Sequence, residues 1–554
     1  MALRAARAAG RRRAPLGRAG FVGLAGAVYL AAGVLATWPA LRHADDSFLA
    51  RADPSYGEPA AGDHLQLGWS LWLVGHQLER LAAPWRDPYS FQPEAEPALN
   101  LQGWFFGLVY WPLDALVGAV GAWNLFVLLS YVLAGGLACA WLRSLGLGRG
   151  AALAGGLAFA LAPYRVAQST GHLLGPISAL LALALLGVER ARAHSARSLW
   201  LTGAALVALP LSGQLHLALG AIPFTAAYGV ARLREPRLLA GLGAAAALAV
   251  VAGVSVQRAV VDGSVAEGGR TLREVAAFSA DWQALLSRDV GPLEEFVLLG
   301  WAMPLVALGG LGLLVAARRL ALAAVLAGGV LLPALLALGT NVPLYGRVWD
   351  VFPPLRYPRV PERLMPIACL ALACLAAFAI DRVRGRAGAA AALALVAVDL
   401  RAGVTLYRAA AADEDNRAYA ALAQRRVSGR LLELPVFLPE RHYGSVYLYY
   451  ARQAPRERPG GYSTVAPREA DAAARLLVRL NCGAWDRAVA RRVAELGVTH
   501  VAVHGGLYRD PAVPDCEHRA RSVLARHGFE RIASDGLVTL LGTPSRAPSS
   551  LVGP

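Results

Sequence analysis

The feature that most constrains this chain is a series of apolar runs separated by short clusters of arginine. A helix needs roughly 20 apolar residues to cross the hydrocarbon core of a bilayer, and several of these runs reach that length. Hydrophobic residues make up 56% of the 554 positions and charged residues only 17%. Soluble proteins carry about a quarter charged residues. The sequence therefore predicts an α-helical polytopic membrane protein.

The arginine clusters predict how the chain is oriented. Short basic segments stay on the cytoplasmic side of a membrane, and a count of about eleven spans places every short cluster of this chain there. The abundance of Ala, Gly and Arg is typical of a bacterial protein, so we expect the inner membrane. The net charge of +16 comes from these flanks. No basic face lies on a soluble region, so we expect no nucleic-acid partner.

Three regions follow from this count. Residues 1–18 form a basic cytoplasmic N-terminus, residues 19–404 a transmembrane domain, and residues 405–554 a small extracytoplasmic domain. Short alternating runs around a helical stretch predict an α/β or α+β fold for that last domain. Its two cysteines, Cys482 and Cys516, are either free or joined by a disulfide, which an oxidising compartment would allow.

The span count depends on the first outer loop, residues 39–121. Its last segment, residues 103–121, is apolar but has Pro112 and Asp114 near its middle. An aspartate at the centre of a spanning helix costs about 2.5–3.5 kcal/mol. We therefore expect this segment to be an interfacial or re-entrant helix. If it spanned, every later arginine cluster would face outward.

No motif of a soluble enzyme is present, and the chemistry is left to polar residues of the outer loops. A carboxylate at the bilayer edge can bind a divalent cation or act as a general base. Asp63 stands out because an amphipathic segment follows it, with Trp69 and Trp72 one helical turn apart. Tryptophan prefers the membrane interface, so we expect both rings there. The alternative role for Asp63 is a plain helix N-cap.

A series of short motifs runs along the whole chain. They are Gly62-Asp63 with Gln66, Trp69 and Trp72; residues 87–93; residues 158–165 with His172; residues 341–345; residues 356–363; Leu434-Pro435; residues 460–463; and residues 496–501. Their order resembles the membrane-embedded GT-C glycosyltransferases, the fold class that includes protein mannosyltransferases and aminoarabinose transferases. A large bacterial branch of that class opens its first loop with the same Gly-Asp, Gln and Trp pattern.

The resemblance implies inverting transfer of a sugar from a polyprenyl-phosphate donor to an acceptor outside the cytoplasm. Asp63 corresponds to the catalytic aspartate, acting as a base or through a divalent cation such as Mg²⁺ or Mn²⁺. Gln66 shares its motif and is a candidate substrate-binding residue. Better-studied members have a second carboxylate before the interfacial segment, and Glu94 or Glu96 is the nearest match. The acceptor, whether lipid, polysaccharide or protein, is left open.

Several basic residues of later outer loops are further candidates for substrate binding. Arg356, Arg359 and Arg363 follow two prolines, and a guanidinium group matches phosphate oxygens. Their alternative role is contact with the headgroups of membrane lipids. Arg165 and His172 are predicted to share one short outer loop, where either could touch a phosphate or the acceptor. The alternative for His172 is a solvated loop residue.

Two other functions fit a polytopic membrane protein. A transporter or lipid flippase would show internal repeats and ionisable groups near the bilayer midplane. The ionisable residues here lie mainly in loops, which argues against that function. A catalytically inert protein of envelope polysaccharide assembly is the second alternative.

Overall fold

A computed structural model describes residues 17–54, 56–95, 98–383, 385–401, 404–425, 428–511 and 513–543. Residues 1–16, which form most of the predicted cytoplasmic N-terminus, lie outside the described residues. So does Glu96, one of the two candidates for the second carboxylate.

Apolar helices dominate the chain up to residue 401. They are α1 (Arg18–Thr37), α2 (Asp63–Glu79), α3 (Trp104–Ser144), α4 (Arg149–Ala160), α5 (Pro163–Gln168), α6 (Leu174–Ile177), α7 (Ala179–Ala193), α8 (Leu199–Leu211), α9 (Leu215–Arg232), α10 (Pro236–Val261), α11 (Leu272–Ala276), α12 (Ala302–Ala316), α13 (Leu320–Ala337), α14 (Tyr345–Val351), α15 (Met365–Ile380) and α16 (Arg386–Arg401).

Six helical stretches of the described chain are long and apolar enough to cross a membrane. They are Arg18–Thr37, Trp104–Ser144, Leu174–Ala193, Pro236–Val261, Leu320–Ala337 and Pro361–Ile380. Two shorter apolar helical stretches, Ala196–Leu211 and Ala302–Ala316, accompany them. The protein is thus a multi-pass membrane protein, and the count of about eleven spans stays a prediction of the arginine pattern.

Helix α15 lies at the centre of the bundle and is buried on almost every side. It packs against α4, α12 and α13. Small residues let these helices approach closely, as is common in membrane proteins. A Cβ on Gly310 would lie 1.8 Å from the Leu375 carbonyl oxygen, and one on Gly155 would lie 2.9 Å from the Ala377 Cβ. This packing fixes the turn before α15, which carries Glu362 and Arg363.

Helix α3 is broken within the segment that we expected not to span. Gly118 has φ 71° and ψ −179°, a left-handed conformation that favours glycine. The polar residue of the segment, Asp114, pairs with Arg452 at 2.5 Å, and both side chains are largely buried. Because Arg452 follows the C-terminal helix Gly444–Ala451, the broken segment lies against the C-terminal region.

The strands belong to the loops and the C-terminal region. They are β1 (Ser47–Ala50), β2 (Arg86–Asp87), β3 (Ala98–Leu99), β4 (Arg408–Ala411), β5 (Arg430–Leu434), β6 (Val498–His504), β7 (Glu530–Asp535) and β8 (Val538–Gly542). The last four form one sheet in the order β5-β6-β8-β7. β5 and β6 are parallel, and the other neighbours are antiparallel.

Five helices accompany this sheet: α17 (Arg417–Ala423), α18 (Gly444–Ala451), α19 (Arg468–Leu477), α20 (Arg487–Glu495) and α21 (Glu517–Arg526). A separate apolar core of leucine and valine side chains lies between the sheet and α19, α20 and α21. The sulfur atoms of Cys482 and Cys516 lie 2.21 Å apart. They join the start of α21 to the turn before α20.

The first outer loop is held by the C-terminal region. β1 pairs with β4 in an antiparallel register that joins Ser47 to Ala411. Further along the loop, Glu58 lies 2.5 Å from the fully buried His504 and accepts a hydrogen bond from the Gly506 amide at 2.8 Å. A buried carboxylate needs such partners, because an unpaired buried charge is very costly. The loop that carries Asp63 is therefore fixed at both its start and its middle.

The disulfide predicts a measurable loss of stability on reduction. It closes a segment with a sequence separation of 34, and loop-closure entropy for such a length corresponds to roughly 3–4 kcal/mol. We expect the variants Cys482→Ser, Cys516→Ser and the double variant to show the same lowered Tm in detergent. Reductant should lower the Tm of the wild type to that value and leave the variants unchanged. A wild-type Tm that is unchanged by reductant would contradict the presence of the disulfide.

Candidate functional site

Asp63 is the first residue of α2, and its carboxylate is held by two distant parts of the chain. Oδ2 lies 2.5 Å from Nε2 of His172. Oδ1 accepts a hydrogen bond from the Tyr462 hydroxyl at 2.5 Å. The N-cap residue of α2 is Gly62, and both oxygens of Asp63 contact other side chains, so the N-cap alternative for Asp63 is wrong. The Asp63 side chain is 30% exposed, which leaves it open to a bound molecule.

The electrostatics of the site keep Asp63 ionised. Burial by itself would raise the pKa of its carboxyl, but hydrogen bonds from His172 and Tyr462 and the charges of His172 and Arg363 outweigh burial. The pKa of Asp63 therefore lies below its usual value. Burial and the neighbouring carboxylate raise the pKa of Tyr462, so its hydroxyl remains a proton donor at neutral pH.

The imidazole of His172 is oriented by further polar side chains. Its Nδ1 lies 2.5 Å from Oε1 of Gln168 and 3.2 Å from a guanidinium nitrogen of Arg363. Gln168 ends the short helix α5, and His172 follows Gly171. A Cβ on Gly171 would lie 3.0 Å from the His64 nitrogen and 3.3 Å from the Asp63 Cβ. The glycine thus allows the turn to approach the start of α2.

A group of arginines lies beside this network. Arg363 contacts His172 and Gln168 directly. Arg359 stacks on the ring of Phe278 at 4.5 Å, and burial together with the nearby Arg270 charge lowers its pKa. Arg270, from the loop after α10, donates to the Thr464 carbonyl at 2.6 Å. We call Arg270, Arg359 and Arg363 the arginine group.

A cleft opens next to the arginine group. Arg363 and His216 provide its polar lining, and the rest is mainly apolar or aromatic. Leu219, Leu336, Tyr345, Leu355, Pro358, Val360, Pro361 and Leu364 complete that lining. The cleft therefore combines an apolar wall with a cationic end.

Other predicted residues take structural positions. The Arg165 guanidinium is fully buried and donates to the carbonyls of Ser130 and Ala160 and to the Ser178 hydroxyl. The His172 side chain is 12% exposed, so its alternative role as a solvated loop residue is wrong. Arg356 donates to the Asp350 carbonyl at 3.0 Å and lies over the ring of Trp349. Both guanidinium groups are held by these neighbours.

The acidic first loop is arranged differently from the prediction. Glu94 pairs with Arg492 of α20 at 2.5 Å and makes no described contact with Asp63. Gln66 donates to the Tyr462 carbonyl at 2.6 Å, so it supports the residue that contacts Asp63. Trp69 is only 2% exposed and packs on α18, so the expectation of an interface anchor is wrong for this ring. Protein contacts replace lipid contacts there.

Four residues of the site were not candidates in the sequence analysis: Gln168, Arg270, Glu294 and Tyr462. Tyr462 could have been predicted from the sequence, since it belongs to the motif at residues 460–463. Glu294, in the loop before α12, lies near enough to influence the pKa of Tyr462 and Arg359. Only the tertiary arrangement shows that this carboxylate acts on the site.

The described donors do not form a complete set of ligands for a divalent cation. Over the described ranges, no group of three or more His, Cys, Asp or Glu side chains is placed to hold a metal ion. Both oxygens of Asp63 already accept from proton donors, and the adjacent charges are arginines, which repel a cation. The expected Mg²⁺ or Mn²⁺ therefore stays a prediction, with Glu96 outside the described residues.

The similarity of this chain to known proteins is one of fold. No protein-family model and no curated protein matches the chain. A solved structure of the arabinofuranosyltransferase AftD from mycobacteria matches 96% of this chain with a TM-score of 0.55 and 17% identity. A mutant form of that enzyme matches 96% with a TM-score of 0.59 and 15% identity. The chain covers 40% and 42% of these two structures.

A third structure, the oligosaccharyltransferase of Archaeoglobus fulgidus in its apo form, has a TM-score of 0.46 and 12% identity. That match covers 87% of this chain and 69% of the other, and its score is too low to establish a shared fold. The similarity to the mycobacterial enzyme does establish one. Over nearly its whole length the chain has the fold of that membrane arabinofuranosyltransferase, and the resemblance in its motifs implied the same kind of fold.

The low pKa of Asp63 predicts a pH-dependent contribution to stability. A carboxylate whose folded pKa lies below its unfolded value stabilises the fold above about pH 4, and this contribution is lost as the pH falls through the folded pKa. We expect Asp63→Asn to have a lower Tm than the wild type at pH 6, with a difference that shrinks towards pH 3. Asp45→Asn, at an exposed loop position, is the matched control and should show no such trend. A constant difference for Asp63→Asn would contradict the assignment.

Proposed function

We propose that this protein is a GT-C-type glycosyltransferase of the bacterial inner membrane. It transfers a sugar, with inversion, from a polyprenyl-phosphate donor to an acceptor hydroxyl outside the cytoplasm. The observation that carries the proposal is an ionised, partly exposed carboxylate, Asp63, next to the arginine group at the end of an apolar cleft. The fold shared with a mycobacterial arabinofuranosyltransferase supports the same class of reaction.

Asp63 is suited to the role of general base. Each carboxylate oxygen has two acceptor sites, and His172 and Tyr462 occupy one on each oxygen. A further site remains for an acceptor hydroxyl. The two protein donors also fix the direction in which the carboxylate faces, and a positioned base of this kind contributes about 10²–10⁴-fold to a rate.

The arginine group and the cleft suit the donor. Guanidinium groups bind phosphate oxygens through charge-assisted hydrogen bonds, and Arg363 lines the cleft. The apolar wall of the cleft, with Leu336 and Leu364, matches the isoprenoid part of the lipid. This arrangement would place the sugar between the phosphate at the arginines and the base at Asp63.

The reaction then follows from the positions of these groups. The acceptor oxygen attacks C1 of the donor sugar from the face opposite the phosphate, while its proton passes to Asp63. The bond from C1 to the phosphate oxygen breaks, and the charge that develops on the leaving polyprenyl phosphate is stabilised by the arginine group. A single displacement of this kind inverts the configuration at C1.

The proposed topology has the C-terminal region outside the cytoplasm, with about eleven spans below it. Two observations support it. The C-terminal region contacts Asp63 through Tyr462, so the two must lie on one side of the membrane. The neighbouring cysteine sulfurs of that region suit an oxidising compartment.

The role of Asp63 predicts the outcome of a transfer assay. Purified protein is incubated with undecaprenyl-phosphate carrying arabinofuranose, aminoarabinose, mannose or glucose, and with envelope glycan as acceptor. We expect one donor to react and Asp63→Asn to lower the rate by about 100-fold or more, since a general base is lost. Release of undecaprenyl phosphate is the readout. Asp45→Asn should keep the wild-type rate, and a fully active Asp63→Asn would overturn the proposal.

The arginines predict a matched pair of variants. Arg359→Gln and Arg363→Gln should raise the KM for the donor by about 10-fold to 100-fold, because a charge-assisted hydrogen bond is lost. Arg356→Gln removes the same charge from the same loop, but its guanidinium already donates to the Asp350 carbonyl. It should leave the donor KM within about twofold. Equal effects of all three would point to general attraction by lipid headgroups.

A further inference from the structure

A single loop, residues 262–271 between α10 and α11, contacts both the arginine group and the segment that sets Asp63. Its first half runs beside the stretch that follows Tyr462. There the Val265 amide donates to the Ala466 carbonyl at 3.0 Å. The loop and this stretch of the C-terminal region are therefore held together by their backbones.

The second half of the loop lies against the turn that leads to Arg359. The Arg270 amide donates to the Arg356 carbonyl at 2.6 Å. Gly269 allows this approach, since its φ is +79° and a Cβ there would lie 3.2 Å from the same carbonyl oxygen. The backbone thus fixes the start of the Arg270 side chain.

The guanidinium of Arg270 has partners on two of its three nitrogen atoms. Nη2 donates to the Thr464 carbonyl at 2.6 Å, and Nη1 lies 3.5 Å from Oε1 of Glu274. The third nitrogen, Nε, is buried and has no hydrogen-bond partner in the part of the chain that the structure describes. A buried donor without an acceptor is costly, so this nitrogen points to a bound group that accepts from it.

The charges around Arg270 favour an anion as that acceptor. Burial and the Arg270 charge lower the pKa of Arg359, so two guanidinium groups lie close together. Glu274 neutralises them only weakly, because its side chain is 44% exposed and its other oxygen accepts from the amide and the hydroxyl of Thr271. A phosphate group would accept from Nε and match both positive charges.

A short path connects the same guanidinium to Asp63. Thr464, whose carbonyl accepts from Nη2, is two residues after Tyr462. The Tyr462 hydroxyl donates to Asp63, and its carbonyl accepts from Gln66. Because a guanidinium group is planar and rigid, a ligand on Nε also fixes the direction of Nη2. A group bound at one end of Arg270 therefore acts on the segment that holds Asp63.

We propose that Arg270 is a positioning residue that couples the donor to the base. Its Nε–H binds the donor phosphate, and its Nη2 then holds the Tyr462 segment in the place that orients Asp63. The inference rests on the proposed function and deepens it, since it makes the bound donor a condition for a correctly placed base.

The variant Arg270→Lys separates this coupling from simple attraction of the phosphate. Lysine keeps the positive charge, but its one nitrogen cannot occupy both positions. We expect the kcat of transfer to fall about 10-fold or more, because a charge-assisted hydrogen bond is lost, while the KM for the donor stays within about threefold. Arg273→Lys, the same change at an exposed position of α11, should keep both constants. A wild-type kcat for Arg270→Lys would overturn the inference.

The variant Tyr462→Phe tests the path through which Arg270 acts. It removes the hydroxyl that contacts Asp63. If Arg270 acts through Tyr462, the two substitutions share one effect, and the double variant should have the kcat of Tyr462→Phe to within about twofold. Two independent losses that multiply in the double variant would contradict the coupling.

Hydrogen–deuterium exchange provides a readout that needs no turnover, and it keeps the test valid if Arg270→Lys misfolds. Undecaprenyl phosphate, the lipid without its sugar, is added to the wild-type protein in detergent, and its binding is measured by thermophoresis. We expect the bound lipid to slow amide exchange over residues 460–466 by about twofold or more, since this segment opens less often. Arg270→Lys should bind the lipid without this slowing.

These measurements distinguish failure of the inference from failure of the proposed function. If undecaprenyl phosphate binds without slowing exchange while Asp63→Asn is inactive, the coupling is wrong and the glycosyltransferase stands. A fully active Asp63→Asn would overturn the proposed function itself. If the lipid phosphate does not bind to the wild type, the coupling and the donor site are both wrong.

Discussion

The site depends on the contact of one carboxylate, Asp63, with His172 and Tyr462. These three residues come from the first outer loop, the turn after α5 and the C-terminal region. None of these elements positions the site alone. A carboxylate that is partly removed from water is stabilised by such partners, so the site and the association of the three parts depend on each other.

The same physical constraint recurs wherever charge lies inside the protein. Asp114 is matched by Arg452, Glu58 by His504, and Glu433 by Arg458. The first two of these pairs join the first outer loop to the C-terminal region. The pairs therefore tie the loop to that region at separate points, and an ion pair with one partner removed leaves a charge that is expensive to bury. This pattern makes the C-terminal region a structural part of the site.

Much of the architecture followed from the sequence. Apolar runs and arginine clusters predicted a polytopic membrane protein, and the resemblance in the motifs implied the fold that the chain shares with a membrane arabinofuranosyltransferase. Pro112 and Asp114 marked the segment in which α3 breaks, at Gly118. The site was harder to predict. Arg165 has the motif position of a binding residue. Its guanidinium, however, is buried and donates hydrogen bonds to the Ser178 hydroxyl and the Ser130 carbonyl. Burial depends on residues far away in the chain, and the spacing of residues within a motif does not reveal those contacts.

The sequence by itself determined that this chain is a membrane protein and singled out Asp63 as its leading candidate for a functional residue. Local hydropathy supports the first conclusion, and a local motif supports the second. Only the tertiary structure decided which groups surround Asp63: it brought in Tyr462, Gln168 and the arginine group and left Glu94 with Arg492. The reason is physical. Membrane insertion depends on short stretches of side chains, whereas the environment of a carboxylate depends on loops that meet across hundreds of residues.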